Sequence, residues 1–232
     1  MSTYLVVDLA AILVPLLFSF HPALRFDRRY RSFWPACLLV ALVFLVWDAW
    51  FTARGIWGFN PVHLAGWRLF NLPLEEVLFF FCIPYACLFT YHCFDRLRIP
   101  VPGLRTARMV TVVLSLCLLL AGLAFLDRAY TATTFLLMAA SLAWWQFGAG
   151  VPWLSRFYTV YAVLLLPFFA VNGVLTGSWL SEPVVWYDNT ENLGLRIGTI
   201  PLEDVFYGML LIGWVVAIME WLENRNTDQA SL

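Results

Sequence analysis

The chain has 232 residues, of which 62% are hydrophobic and 12% charged, with a mean hydropathy of +0.78. That leaves too little polar surface to coat a water-soluble globule, so an all-α integral membrane protein is expected. A formal net charge of −1 argues against a nucleic-acid partner, because phosphate binding needs a basic face.

Seven segments approach the roughly 20 apolar residues of a membrane-spanning helix: 4–20, 34–53, 73–94, 106–126, 131–147, 155–175 and 201–222. The first lacks a basic flank and a small-residue cleavage site, so it reads as a retained helix rather than a signal peptide. Arg25, Arg28, Arg29 and Arg31 follow it, and Arg96, Arg98, Arg105 and Arg108 flank the break before the fourth segment. Cytoplasmic loops hold the excess of cationic residues, which predicts a multi-pass cell-membrane protein with its N-terminus outside and its C-terminus in the cytoplasm. The second segment carries Asp48 between Trp47 and Trp50, at a depth where an unpaired acid costs on the order of 2.5–3.5 kcal/mol. The third opens at Leu72-Pro73-Leu74-Glu75-Glu76-Val77, and the seventh at Ile200-Pro201-Leu202-Glu203-Asp204-Val205. The five cysteines lack the paired spacing of a metal or redox site and read as small packing residues.

These two openings belong to an internal repeat. At an offset of 128, Phe59-Asn60 aligns with Tyr187-Asp188, Gly66 with Gly194, Arg68 with Arg196, and Phe79 with Tyr207. Upstream the offset slips to 124 and aligns Asp48 with Asn172. The predicted organisation is a first three-helix repeat over 1–95, a linking helix within 96–128, and a second repeat over 129–232. Three helices reverse the chain's side of the membrane and the linking helix restores it, so the repeats are parallel, related by a pseudo-twofold along the membrane normal. Both acidic pairs then lie at one face.

Acids in a first helical turn are favoured by free backbone N–H groups and by the helix dipole, so Glu75 and Glu203 could serve simply as caps. Duplicated adjacent pairs exceed that need, since one acid caps a helix. A carboxyl group in an apolar pocket tends to keep its proton and donate it, whereas one beside an arginine can accept a proton. The expected site therefore joins Glu75, Glu76, Glu203 and Asp204 to a polar shell of Asp48, Asn60, Arg68, Asn172, Asp188 and Arg196. The aromatic content is 18%, and Trp47, Trp50, Phe79 and Tyr207 are candidates to stabilise a cation through their π-faces. Trp57, Trp67, Trp179 and Trp186 lie near the same layer, where aromatic residues also form the ordinary interfacial belt.

With Pro73-Leu74-Glu75-Glu76 and Pro201-Leu202-Glu203-Asp204, Trp47-Asp48, Phe59-Asn60, Asn172-Gly173-Val174-Leu175-Thr176 and Gly194-Leu195-Arg196, the chain resembles the small membrane-integral lycopene cyclases. The resemblance spans both repeats, and the linking helix is similar to the fused form of that family. It implies a lycopene β-cyclase that closes the linear ψ-ends of lycopene, or a related carotene, to β-ionone rings. The implied reaction is an isomerisation: a proton adds to the terminal alkene, the neighbouring alkene attacks the cation, and a ring proton leaves. It implies a lipophilic carotenoid substrate in the lipid bilayer, no cofactor and no metal, with Glu75 and Glu203 nearest the substrate and Glu76 and Asp204 as relay or base. The chain has no Gly-x-Gly-x-x-Gly dinucleotide fingerprint.

Rival classes fit less well. A retinal photoreceptor needs a lysine, and all 14 cationic residues are arginine. A prenyltransferase would need aspartates spaced to hold magnesium and diphosphate, and an intramembrane metalloprotease would want an arginine one turn after Glu75-Glu76. An ion- or proton-coupled transporter with an acidic site between parallel repeats is the stronger alternative.

Overall fold

A computed structural model describes residues 2–230, with side chains described up to Arg225. The outermost residues of the two expected repeat units, 1 and 231–232, lie outside the described residues. Seven helices follow in order: α1 Thr3–Phe18, α2 Tyr30–Ala53, α3 Leu74–Arg96, α4 Leu104–Ala124, α5 Ala129–Ala143, α6 Leu154–Leu175 and α7 Leu202–Ala230. Among the described residues five are long and apolar enough to cross a membrane, namely α2, α3, α4, α6 and α7. The expectation of seven full spans is therefore met in number of helices but not in length. With 16 residues, α1 rises only about 24 Å at 1.5 Å per residue. The 15 residues of α5 are extended by a π-helical turn over Trp144–Gly148, where the α-ladder loosens around buried Trp145.

Packing brings α1 against α3, α5 against α7, α2 against both α3 and α7, and α3 against α6, while α4 lies on α5. The interior is a continuous cluster of Phe, Tyr, Leu and Val from α2, α3, α5, α6 and α7. Apolar residues that face outward, such as Leu17, Val46, Leu120 and Leu166, suit a lipid surround rather than water. At the arginine-rich end Arg29 pairs with Glu220 and Glu223, while Arg156 pairs with Asp95 at 2.9 Å. Tyr91 Oη donates to Glu220 at 2.9 Å, so this network ties α2, α3, α6 and α7 together.

At the opposite end three short strand pairs close the bundle. β1 Trp57–Phe59 pairs antiparallel with β4 Val185–Tyr187, joining Trp57 to Tyr187, Gly58 to Trp186 and Phe59 to Val185. Exchanging positions 128 apart carries this ladder onto itself, with Gly58 and Trp186 at its centre. The hairpins β2–β3 (Arg68–Leu69 with Leu72–Pro73) and β5–β6 (Arg196–Ile197 with Ile200–Pro201) have the same register. Each is entered through a left-handed glycine, Gly66 at φ 93° and Gly194 at φ 70°, where a Cβ would be strained. Leu74 N donates to Trp67 O at 2.9 Å and Leu202 N to Leu195 O at 3.0 Å, so each hairpin delivers its proline to a helix start in one geometry.

Where α7 crosses α5, a Cβ on Gly213 would lie 2.5 Å from the Trp145 ring and 3.3 Å from Phe157, both themselves buried. Replacement of Gly213 by alanine is expected to cost about 1–3 kcal/mol through overpacking, read as a lower Tm in detergent. An unchanged Tm would mean that this crossing is looser than described.

Candidate functional site

The first member of each acidic pair is used locally. Glu75 Oε1 accepts the Ala65 amide at 2.6 Å. Glu203 Oε1 accepts the Leu193 amide at 2.7 Å and the Thr131 hydroxyl at 2.5 Å. Each therefore pins the loop ten residues before it, just ahead of the left-handed glycine. Neighbouring residues project about 100° apart on a helix, so the next side chain turns elsewhere. Glu76 and Asp204 turn into one cavity.

That cavity holds about 260 Å³ and lies between α1, α3, α6 and α7. Its α3 wall is the stripe Glu76, Phe79, Ile83, Ala86, Cys87 and Thr90, about 21 Å long at 1.5 Å per residue. Tyr161 to Leu175 on α6 gives a wall of matching length, and Tyr4, Ala11 and Pro15 line it from α1. The space is thus a slot along the bundle, with Glu76 and Asp204 at one end. Below them its hydroxyls are already used: Thr90 donates to Ala86 O at 3.1 Å, and Tyr161 donates to Val205 O.

The two cavity acids have different surroundings. Tyr4 Oη donates to Glu76 Oε2 at 2.5 Å, and the Asp48 carboxyl lies within electrostatic reach of Glu76. Two carboxyl groups buried near each other in an apolar surround do not both ionise, so the pair keeps a proton. Asp48 Oδ1 also accepts from Trp57 Nε1 at 2.5 Å and from Thr52 Oγ1 at 3.3 Å. Asp204 instead receives two hydroxyls, Tyr130 Oη at 2.6 Å and Tyr187 Oη at 2.9 Å. Burial pushes the Tyr187 phenol well above its ordinary pKa, and the adjacent Asp204 pushes it further, so it remains an O–H donor at neutral pH. Trp57, Tyr130, Tyr187 and Tyr207 form an aromatic cage around this end, with ring centroids 5.1 Å apart for Trp57 and Tyr130 and 6.0 Å for Trp57 and Tyr207.

Glu75 and Glu203 are expected nearest the substrate; each gives its Oε1 to a loop amide, and it is Glu76 and Asp204 that line the slot. The polar shell divides as well. Asp48 and Asn172 belong to the site, Asn172 as part of the slot wall. Arg68 donates to Asn71 O at 3.3 Å within its exposed hairpin, whereas Arg196 donates to Thr199 O at 2.5 Å and Asn189 Oδ1 at 2.8 Å and lies over the Tyr187 ring at 5.8 Å. Asn60 bonds Glu182 at 2.8 Å, and Asp188 accepts from Thr190, so both order loops. The arginines do not reach Asp48, whose partner is the Trp57 indole.

Among the aromatic candidates Phe79 and Tyr207 line the slot. Trp47 backs Tyr207 at a centroid distance of 5.1 Å, and Trp50 is exposed beneath Arg54. Trp67, Trp179 and Trp186 are exposed, as an interfacial belt requires. Sequence reasoning missed Tyr4, Tyr130 and Tyr187 as partners of the acids, although Tyr4 and Tyr130 occupy matching places near the start of α1 and α5. It also passed over Asp8, which is fully buried in α1. Among the described residues no group of three or more His, Cys, Asp or Glu is arranged to hold a metal ion.

The sequence pattern described as "Lycopene cyclase" matches residues 1–94 and 127–222. The chain belongs to the lycopene cyclase family. The two matched stretches contain every residue of the slot and omit α4. Similar curated proteins are the bifunctional lycopene cyclase/phytoene synthase of Aspergillus niger, 27% identical over 190 residues, and that of Aspergillus oryzae, 33% identical over 86 residues. These alignments cover 74% and 36% of this chain, but only 32% and 15% of the relatives, so this family member spans a minor part of their length. No solved structure matches it.

Trp57→Phe keeps the ring in the cage but removes the donor to buried Asp48. The expected loss is about 1–3 kcal/mol of stability, read as a lower Tm in detergent, whereas Trp67→Phe at the exposed face should leave Tm unchanged. Equal melting of the two variants would contradict the Asp48 contact.

Proposed function

We propose that the chain is a lycopene β-cyclase working by acid–base catalysis without a cofactor, with Glu76 and Asp204 acting on one end of a linear carotene held in the slot. The observation that carries this reading is that one acid from each motif opens onto a single apolar cavity. Glu76 holds a proton with Asp48 and is the donor to the terminal alkene. The tertiary cation that forms is attacked by the neighbouring alkene, closing the six-membered ring and moving the positive charge onto it. Loss of a ring proton to Asp204 restores neutrality and leaves the β double bond. Asp204 need not be a strong base for this, because a carbocation is a very strong acid. The π-faces of Trp57, Tyr130, Tyr187 and Tyr207 suit the passing cation. One proton enters and one leaves, as an isomerisation requires.

In this reading the substrate is a hydrocarbon taken from the bilayer, and its polyene lies along the apolar α3 and α6 walls. A coupled transporter would want a polar path between the two faces, and the wall below the acids offers the opposite. The two halves are read as parallel repeats about a pseudo-twofold through the β1–β4 ladder, a reading supported by the self-mapping register and the matched hairpins. The N-terminus is read as outside and the C-terminus as cytoplasmic, which puts the acids near the outer face and the Arg29–Glu220–Arg156 network at the inner one.

Expression in a lycopene-accumulating bacterium should convert lycopene to β-ringed carotenes, detected by pigment chromatography. Glu76→Gln and Asp204→Asn should each lower conversion by about 100-fold or more, as loss of a general acid or base does. Glu75→Gln, which can still accept the Ala65 amide, should still close the first ring at the wild-type rate. Lycopene left unchanged by protein confirmed in the membrane would refute the assignment. Full activity in both Glu76→Gln and Asp204→Asn would refute the roles.

A further inference from the structure

Asp8 has no part in the chemistry so far, and its surroundings are unusual. It is 0% exposed, and neither carboxyl oxygen has a hydrogen-bond partner. On α1 it occupies the stripe Tyr4, Asp8, Ala11, Pro15, whose other three members line the slot. Side chains on a helix lean toward its N-terminus, so Asp8 leans toward the level of Tyr4, which holds Glu76. The titratable groups within electrostatic reach of Asp8 are Tyr4 on its own helix and Glu75, Glu76 and Cys82 on α3. Glu75 presents the complementary anomaly: one oxygen takes the Ala65 amide, while Oε2 is buried without a partner.

A carboxyl buried without hydrogen bonds costs several kcal/mol if charged, and an intramembrane acid is by default a functional group. Packing alone does not explain it, because the matching place in the other half uses an uncharged residue. Tyr130 on α5 corresponds to Tyr4, and Thr134, one turn later, corresponds to Asp8. Thr134 is likewise fully buried and unpartnered. The extra acid is therefore confined to the half whose slot acid is Glu76.

We propose that Asp8 is a proton relay that reloads Glu76 between ring closures, passing protons inward from Glu75 at the exposed Ala65–Trp67 loop. This rests on the cyclase reading. Each closure takes one proton from Glu76 and leaves one on Asp204. Asp8 then gives its proton to Glu76 and is refilled through Glu75, while the proton on Asp204 returns to water. No electrons move, and no other reactant is needed. Asp8 does not touch the substrate, so its removal affects the cycle and not the first event.

The test is rapid-quench turnover of lycopene in detergent by purified full-length protein, comparing wild type with Asp8→Asn, Asp8→Leu and Asp8→Glu. Leucine removes the cost of a buried polar group, so at least one relay-deficient variant should fold. Both relay-deficient variants should form the first ring at the wild-type rate, because Glu76 already holds a proton with Asp48. Their steady-state kcat should fall about 10-fold or more with KM unchanged, and Asp8→Glu should restore kcat to within about threefold. A merely structural role would change the first turnover and the steady state together, and that outcome overturns the relay. Wild-type steady-state turnover in Asp8→Asn and Asp8→Leu overturns it as well. A wild-type protein that leaves lycopene unchanged overturns the cyclase reading itself.

Discussion

Burying carboxyl groups in a hydrocarbon surround is the constraint on which the rest of this structure depends. Asp8, Asp48, Glu75, Glu76, Glu203 and Asp204 are all buried within an apolar bundle. Each needs a donor, a shared proton or a replacement for water. The end of the bundle that carries strands is built from the answers. Backbone amides of the loops serve Glu75 and Glu203, tyrosine hydroxyls serve Glu76 and Asp204, and an indole N–H serves Asp48.

From that satisfaction the geometry of the slot follows. An acid bonded to the amide ten residues upstream fixes the hairpin before its helix, and a fixed hairpin fixes the rotation at which the helix begins. The neighbouring acid is then aimed inward by helix geometry alone. Because this happens twice, and because the β1–β4 ladder joins the two loops, Glu76 and Asp204 meet in one slot from two parts of the chain distant in sequence. The halves are alike in backbone and unlike in chemistry. One presents a carboxyl that takes the Tyr4 hydroxyl and lies near Asp48, the other a carboxyl held by two phenols.

Much of this was legible in the sequence, and the limits have physical causes. Helix positions followed from apolar length and came within a few residues, except that α7 runs to Ala230 rather than ending near 222, its polar last turns lying beyond the apolar stretch. The exception in kind was α5, which ends early because buried Trp145 and its neighbours form a π-helical turn that hydropathy does not register. The motif located the site, yet which acid of each pair faces inward depends on loop amides, and those are assigned only when the hairpin folds back. Arg68 and Arg196 looked like natural partners for Asp48, but their charge is better solvated at exposed hairpins, and a nearby tryptophan supplied the donor. Tyr4 and Tyr130 were hidden because a tyrosine in an apolar helix reads as packing until its hydroxyl is placed. Asp8 was overlooked because, unlike Asp48, it aligned with no polar residue in the repeat read from the sequence.

The central claim is that the two halves form one acid–base site at one end of a single slot. The most direct measurement is an experimental structure of the full chain carrying the nearly isosteric Glu76→Gln, with lycopene bound. The polyene should lie along the Phe79–Thr90 face of α3, with one ψ-end between residue 76 and Asp204 and inside the cage of Trp57, Tyr130, Tyr187 and Tyr207. A carotene bound elsewhere on the bundle, or lying in the slot with its end remote from both acids, would contradict the account.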